Sequence, residues 1–305
     1  MSEATQSVAS SSWFEASARQ RVAALTDPGS FVEIIGPEQR EISPHLAIFD
    51  LPVQFDDGMI IGRAVLGSRP VLVAAQEGRF MGGAFGEVHG AKLTGLLRAA
   101  TEHHLDVVIL FDTGGVRLQE ANAGELAIGE IMRALVEARL AGAKVIGLIG
   151  GRAGCYGGGG LLAGCCSTLI VSEQGRISVS GPEVIETNKG VEEFDSRDRA
   201  LVWRTMGGKH RYLIGGADAF VDDEAGAFRQ AALAALDRPS RFGLEVLQAE
   251  QRRLERRLER FGAARDGTDV WTALGIAEPA GFPDLGTDEF LRRAGGKRET
   301  ADDAR

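Results

Sequence analysis

The sequence predicts an α/β fold built around a mostly parallel sheet. Two apolar strands, 107–111 and 144–149, each run into a glycine pair or cluster and then into an amphipathic segment. A third strand is predicted at 168–172, and helices are predicted over 124–141 and 157–166. Strands that alternate with helices at this spacing indicate βαβ units, whose strands pair in parallel. The chain has 41 glycines, many of them at strand ends, where they indicate turns and close backbone approach.

Composition indicates a globular protein and argues against several classes of function. The formal net charge of −9 argues against nucleic acid or an anionic membrane as the main partner. No apolar run approaches the roughly 20 residues that span a bilayer. The N-terminus lacks the basic start and the apolar segment of a secretory signal. Cys155, Cys165 and Cys166 form neither a zinc pattern nor a disulfide framework. We therefore expect a cytoplasmic location and no metal.

The N-terminal part is predicted to contain a helix followed by short strands. Residues 1–11 are expected to be disordered. Ser12 and Glu15 fit a capping box that opens a helix to about Leu25. Asp56-Asp57-Gly58 is a hairpin signal between the first two of three β-rich runs. These runs are 49–55, 59–66 and 71–75.

The glycine-rich loop 78–86 precedes a predicted helix from about Glu87 to His104. After the sheet, a short strand at 177–180 leads to Gly181-Pro182-Glu183, where proline suits the first turn of a helix. Later predicted elements are helices at 195–206 and 223–236, a strand at 219–221, and a long charged helix with the apolar stripe Leu244, Leu247, Leu254, Leu258 and Phe261. The stripe covers too few heptads for a coiled coil, so we expect this helix to pack on its own domain.

Composition divides the chain into four predicted segments. They are a disordered N-terminus, an α/β domain, a helical C-terminal extension and a polar, flexible tail. Their expected bounds are 1–11, 12–240, 241–285 and 286–305.

The glycines after the two apolar strands lead to the functional hypothesis. Gly114 and Gly115 follow strand 107–111, and Gly157–Gly160 open the helix after strand 144–149. Because glycine lets a ligand approach the backbone closely, the N–H groups here are suited to stabilise a developing anion. A plain strand-to-loop turn is the alternative for the first pair. Arg117, Gln119 and Glu120 nearby could orient this loop, and for the two charged residues we favour a structural ion pair. The pattern favours an enzyme with a main-chain oxyanion hole that acts on a thioester.

Other glycine motifs and metal sites find no support in the sequence. It has no G-x-G-x-x-G at these strands, no P-loop and no G-x-S-x-G nucleophile elbow. The histidines lack metal-ligand spacing. His89 and Lys92 are expected on a helix surface, with contact to a ligand as the alternative. Cys155 is expected to be an inert, buried thiol, with a reactive thiol as the alternative.

Four segments in order resemble the carboxyltransferase branch of the crotonase superfamily. Residues 112–120 (DTGGVRLQE) resemble D-S-G-G-A-R-x-Q-E, and residues 82–88 (GGAFGEV) resemble G-G-S-x-G-E-V. Residues 177–185 resemble F-I-T-G-P-D-V-V, and residues 27–31 match D-P-G-S-F. The resemblance covers about 15–190. Within this branch, residues 150–168 are similar to the β subunits of malonate decarboxylases.

The resemblance implies a fold and a set of site residues. The fold is a crotonase-like (ClpP/crotonase) spiral of ββα units with a helical C-terminal region. Two backbone oxyanion holes would face each other across a subunit interface. The implied catalytic residues are Gly114, Gly115, Gly157 and Gly158. The implied substrate-binding residues are Gly82, Gly83, Val116, Arg117, Tyr156 and Gly159.

The resemblance also implies a reaction and its partners. A malonyl thioester on an acyl carrier protein would lose CO₂ through an enolate and become the acetyl thioester. The carrier would be a phosphopantetheine-type arm or coenzyme A, with no cofactor bound by this chain itself. A second crotonase-like (γ) subunit would complete the active site, and an acyl-transferase (α) subunit would join the complex.

Three alternatives stay open at this stage. A biotin-dependent carboxyltransferase subunit would use the same glycines. However, the bacterial acetyl-CoA carboxylase relative has an N-terminal four-cysteine zinc ribbon, and this chain has no cysteine before residue 155. A crotonase-type hydratase would have a glutamate where this chain has Leu161. A non-catalytic assembly subunit is the third alternative.

Overall fold

A seven-stranded sheet forms the centre of the computed structural model, which describes residues 12–299. The strands lie in the sheet in sequence order. They are β1 (Val32–Ile34), β2 (Met59–Leu66), β3 (Arg69–Gln76), β4 (Asp106–Phe111), β5 (Val145–Ile149), β6 (Thr168–Ser172) and β7 (Ala219–Val221). Strands β1 to β3 pair antiparallel, and β3 to β7 pair in parallel. Each crossover moves one strand in the same direction, which gives the expected crotonase-like spiral.

Helices cover both faces of this sheet. They are α1 (Ala18–Leu25), α2 (Pro44–Ile48), α3 (Glu87–His103), α4 (Asn122–Leu140), α5 (Gly158–Gly164), α6 (Pro182–Lys189), α7 (Arg199–Met206), α8 (Gly208–Leu213), α9 (Ala225–Asp237), α10 (Leu244–Phe261), α11 (Gly267–Ala273) and α12 (Thr287–Ala294). No helix among the described residues is long and apolar enough to cross a membrane.

Strand β4 shows how the sheet separates two hydrophobic cores. Val107, Ile109 and Phe111 belong to the core that also contains the buried residues of α3 and α4. Val108 and Leu110 belong to the core with α1 and α9. Successive side chains of a strand point to opposite faces, so a continuous apolar run buries both faces. The sequence predicts this strand for that reason.

The N-terminal helix begins later than predicted. It starts at Ala18, and its capping box is formed by Ser17 and Gln20. Ser12 Oγ does accept a 3.1 Å hydrogen bond from the Glu15 N–H. However, Ser12 also forms a β-bridge with Glu224, which ties this segment to the chain before α9. This tertiary contact explains why the capping-box prediction at Ser12 was wrong.

Two predicted strands are absent from the described residues. Residues 49–55 form no strand, and β2 instead makes its hairpin with β3 through Gly67 and Ser68. Both turn residues have positive φ angles, as tight hairpin turns require. Residues 177–180 contribute only an isolated bridge between Ile177 and Cys155.

The C-terminal region differs from its prediction in two ways. Helix α12 occupies part of the expected flexible tail, and its Phe290 is fully buried, 4.6 Å from the ring of Phe220. Helix α12 therefore packs into the core, and residues 1–11 and 300–305 lie outside the described range. The apolar stripe of α10 packs only in part, because Leu244, Leu247 and Leu258 are exposed. The domain boundary expected at residue 240 stays a prediction.

Candidate active site

The loops that follow β4 and β5 meet at one edge of the sheet. The Thr113 N–H donates to the Gly154 carbonyl (2.8 Å), and the Tyr156 N–H donates to the Thr113 carbonyl (3.0 Å). Gly115 and Gly157 have φ angles of +128° and +57°. A Cβ on Gly157 would lie 3.0 Å from the Gly115 Cα, so the two backbones are in contact. The two glycine sets thus lie together, as the sequence predicts.

The loop after β3 packs against the loop after β4. The Gly82 carbonyl accepts a 2.8 Å hydrogen bond from the Gly114 N–H, and the Phe85 N–H donates to the Gly115 carbonyl (2.8 Å). A Cβ on Gly83 would lie only 1.7 Å from the Asp112 carbonyl oxygen. Gly82 and Gly83 therefore support the neighbouring loop. The Gly82 carbonyl also occupies the Gly114 N–H, which is one of the predicted oxyanion donors.

Three of the four predicted amide donors already have partners within the chain. Besides Gly114, the Gly157 N–H donates to the Val179 carbonyl at 3.0 Å. The Gly115 N–H donates to Thr113 Oγ1 at 3.1 Å. In this structure the Gly114, Gly115 and Gly157 amides therefore donate within the protein, and their catalytic role stays a prediction. Gly114 and Gly157 also allow the close packing of the loops.

The amides of Val116, Gly158 and Gly159 make no hydrogen bond within residues 12–299. Gly158 and Gly159 occupy the first turn of α5, where backbone N–H groups have no intrahelical partner. The Val116 nitrogen lies 4.0 Å from the position of a Cβ on Gly157. Two loops therefore bring unpaired donors to the same place. The predicted roles of Gly158, Val116 and Gly159 stay predictions, and their N–H groups are free to bind a ligand.

The Arg117 side chain fixes the loop after β4 through buried ion pairs. Its guanidinium is fully buried, pairs with Asp57 Oδ2 (2.7 Å) and Glu120 Oε1 (3.0 Å), and donates to the Asp57 carbonyl. Burial raises the pKa of Asp57 above its usual value despite this arginine. Burial disfavours the charged form of Glu120, but hydrogen bonds from the Glu87 N–H and Arg117 bring its pKa below the usual value. The ion pair with Glu120 confirms the structural role that the sequence favours for these charges, and the substrate contact that the resemblance implies for Arg117 stays a prediction.

Tyr156 belongs to the loop after β5, and its side chain is buried. Its ring is buried against Val202 and Met206, and its hydroxyl has no hydrogen-bond partner among the described residues. Burial raises the pKa of this phenol. The side chain faces this small cluster, so the structure gives no contact with the unpaired amides.

His89 and Lys92 are buried, contrary to the surface position predicted from the sequence. The His89 ring stacks on Phe85 with centroids 5.0 Å apart, and Lys92 Nζ donates to the Asp56 carbonyl at 2.9 Å. Burial lowers the pKa values of both side chains. They support the loops and do not reach a ligand site.

Buried charges that are not evident from the sequence pattern position these loops. Asp112 pairs with Arg21 at 2.7 Å, and Asp57 pairs with Arg117. Asp112 begins the D-x-G-G segment, so its position was a signal for this role. Asp57 was assigned to a hairpin because its partner is 60 residues away in the sequence.

No group of three or more His, Cys, Asp or Glu residues within 12–299 could hold a metal ion. Burial raises the pKa of Cys155 well above its usual value.

Exposed apolar side chains flank the glycine loops. Leu118 follows Arg117, Leu161 lies in the first turn of α5, and Val179 provides the carbonyl that binds the Gly157 N–H. Leu126 on α4 and Val184 on α6 are also exposed. Clustered apolar exposure of this kind marks an interaction surface more often than a free surface.

The spiral fold and the converging unpaired amides are the arrangement that enzymes with a main-chain oxyanion hole use. The family described as carboxyl transferase domain matches residues 15–234. This chain therefore belongs to the carboxyl transferase domain family. The resemblance seen in the four sequence motifs is confirmed.

Individual relatives agree with this assignment. The malonyl-S-ACP:biotin-protein carboxyltransferase MADC of Malonomonas rubra is 38% identical over 93% of this chain and 95% of its own length. A Pseudomonas malonate decarboxylase hetero-tetramer in complex with malonate contains a chain with a TM-score of 0.81 and 38% identity, covering 89% of this chain and 100% of that one. The Pseudomonas MdcD-MdcE hetero-dimer has a TM-score of 0.66 and 36% identity, covering 81% and 96%.

Proposed function

We propose that this chain is the β subunit of a malonate decarboxylase and that it decarboxylates a malonyl thioester. The observation that carries the proposal is the convergence of the unpaired Val116, Gly158 and Gly159 amides. Membership of the carboxyl transferase family and the similarity to a malonate decarboxylase structure support the choice of substrate. The exposed Leu161 leaves no acid–base carboxylate at the position that hydratases use.

In the proposed reaction, the thioester oxygen of the malonyl group accepts hydrogen bonds from these amides. The bond between the α-carbon and the carboxylate breaks, CO₂ leaves, and the electron pair forms an enolate. The enolate carbon then takes a proton to give the acetyl thioester. Negative charge grows on the thioester oxygen as this bond breaks, so the amides stabilise the transition state more than the bound substrate.

The proposal includes a carrier and partner subunits. The thioester is carried on a phosphopantetheine-type arm of an acyl carrier protein or on coenzyme A. A second crotonase-like subunit covers the exposed apolar residues beside the glycine loops, as the hetero-oligomeric state of the similar structures supports. An acyl-transferase subunit completes the complex, in the cytoplasm.

The direct test removes one amide while leaving the rest of the loop unchanged. Gly158 is the first residue of α5, a position where proline keeps the helical φ but has no N–H. A Cβ there would lie 2.6 Å from Ile128 Cδ1, so both variants carry Ile128→Ala to make room. We expect Ile128→Ala/Gly158→Pro to have a kcat about 10²–10³ lower than Ile128→Ala/Gly158→Ala, which keeps the amide. Equal turnover in these two variants would refute the assignment.

Gly115→Pro is a poorer test of the same idea. The φ of +128° at Gly115 is inaccessible to proline, so the loop itself would change. The two Gly158 variants avoid this problem because they differ only in the backbone N–H and in the proline ring.

The biotin-dependent carboxyltransferase is the second candidate function. The name of the Malonomonas rubra relative, with its biotin-protein acceptor, favours it. We would measure CO₂ release from a malonyl thioester by this chain co-purified with its partner subunit, with and without avidin. Release that avidin does not inhibit would establish the direct decarboxylase, and release that avidin abolishes would establish the biotin-dependent enzyme. No release in either case would favour an assembly subunit.

A further inference from the structure

A cavity lies between α8, α10 and α11, and none of its lining residues belongs to the glycine loops. Its volume is about 350 Å³. The wall combines cationic and apolar side chains. Those used in the argument are Arg211, Arg257, Arg265, Ile214, Leu254 and Phe261.

Arg211 is the unusual member of this wall. Its guanidinium makes no hydrogen bond or ion pair within residues 12–299, and its Nε is shielded from solvent without a partner. Burial and the neighbouring Arg257 cation lower the pKa of Arg211 to about 10. The side chain as a whole is half-buried, so its two terminal guanidinium nitrogens remain open to a ligand in the cavity.

The other titratable groups of the cavity do not neutralise Arg211. Asp266 gives both carboxylate oxygens to Arg204, at 3.0 and 2.8 Å, and also caps α11 through the Thr268 N–H. His210 accepts a hydrogen bond from the Trp271 indole, and burial lowers its pKa to about 3, so it is neutral. Arg257 donates to the Ile214 carbonyl at 3.0 Å. No carboxylate of the cavity wall therefore pairs with Arg211 within residues 12–299.

We propose that this cavity binds a compact organic oxyanion, a carboxylate or phosphate attached to a short apolar group, with Arg211 as its main ligand. The planar guanidinium donates two parallel hydrogen bonds to such an oxyanion, and these charge-assisted bonds are strong. Ile214, Leu254 and Phe261 contact the apolar part. The proposal does not depend on the proposed decarboxylation.

The test measures binding directly, on the full chain at constant ionic strength. Isothermal titration and thermal unfolding would be followed with malonate, with acetate and with inorganic phosphate as separate probes. We expect at least one probe to bind, and the ranking of the three to distinguish a carboxylate from a phosphate ligand. In Arg211→Gln, we expect the affinity to fall at least tenfold, and in Arg211→Lys, which keeps the charge, to fall less.

Arg256→Gln is the matched control. Arg256 is an exposed cation on α10, one of the helices around the cavity, but it does not line the cavity. The Arg256→Gln variant should bind the probes as tightly as the unchanged chain does. Equal binding by Arg211→Gln and the unchanged chain would overturn the proposal, as would the absence of binding for all three probes. If Arg211→Gln is unfolded by circular dichroism, Arg211→Lys decides, because a purely structural cation would leave probe affinity unchanged in that variant.

Discussion

Asp112 Oδ1 accepts a 2.7 Å hydrogen bond from the Ala153 N–H, so one carboxylate joins the loop after β4 to the loop after β5. Its second oxygen pairs with Arg21 of α1 at 2.7 Å. A Cβ on Gly78 or Gly151 would lie 2.6 or 2.2 Å from this carboxyl group, so both glycines make room for it. The relative position of the two glycine loops therefore depends on a buried ion pair.

Asp112→Asn should destabilise the fold strongly. Asparagine still accepts from the Ala153 N–H, but Arg21 is left as a buried charge without its counter-ion. Breaking one side of a buried pair costs about 3–5 kcal/mol. Urea unfolding would measure the loss. The control is Asp237→Asn, which breaks the exposed pair with Arg69 and should cost less than about 1 kcal/mol. Similar losses in the two variants would contradict the role given to Asp112.

Two glycines of α5 should respond to alanine in opposite ways. A Cβ on Gly160 would lie 2.6 Å from the Ser178 carbonyl oxygen, whereas one on Gly164 would meet nothing within 4 Å. Gly160→Ala should therefore lower the free energy of unfolding by about 1–3 kcal/mol. Gly164→Ala should raise it by up to about 1 kcal/mol, because alanine favours the helix. Chemical denaturation of both variants checks the prediction, and a stabilised Gly160→Ala would contradict it.

The parallel strands could be predicted from the sequence because their signal is local. Val107–Phe111 is an unbroken apolar run, and a strand buried on both faces requires such a run. The convergence of the two glycine loops followed from the same reasoning, because the carboxyl ends of neighbouring parallel strands meet at one edge. The strand prediction for residues 49–55 was wrong because these residues have no neighbouring strand to pair with, and no local pattern reveals this.

The identity of the amide donors could not be predicted from the sequence. Gly114 looks as suitable as Gly158 until the Gly82 carbonyl is placed against its N–H, and that contact spans 32 residues of chain. Asp57 and Arg117 are likewise far apart in sequence and fully buried together. Tertiary hydrogen bonds decide which amides stay unpaired, whereas the motif shows only that flexible backbone is present.

His210 should make the fold less stable in acid. Its folded-state pKa is about 3, against about 6.5 when unfolded, so below pH 6.5 the unfolded chain takes up a proton that the folded chain does not. The stabilising contribution is complete above pH 6.5 and is lost as the pH falls towards 3. Between pH 7 and pH 5 it amounts to about 2 kcal/mol.

His210→Gln removes this titration and keeps a hydrogen-bond acceptor for the Trp271 indole. The free energy of unfolding of the unchanged chain should therefore fall by about 2 kcal/mol more than that of the variant over this range. Urea titrations at several pH values would show the difference. His103→Gln, on the exposed end of α3, is the control and should follow the unchanged chain. Parallel curves for His210→Gln and the unchanged chain would refute the prediction.

Leu118→Glu should weaken assembly with the proposed second subunit. Leu118 is 86% exposed directly after the loop that carries the Val116 amide, so a partner that completes the site would bury it. A buried, unpaired carboxylate is costly, and we expect the affinity for the partner subunit to fall at least tenfold. Leu140→Glu is the matched control, because Leu140 is 62% exposed at the far end of α4.

Sedimentation of the co-expressed subunits would measure this difference, and circular dichroism would establish that both variants are folded. Loss of the complex in both variants, or in neither, would show that the apolar surface beside Leu118 is not the subunit interface. Loss in Leu118→Glu alone should also lower CO₂ release in proportion to the complex that is lost. The two effects should change together because the facing half of the site would come from the partner.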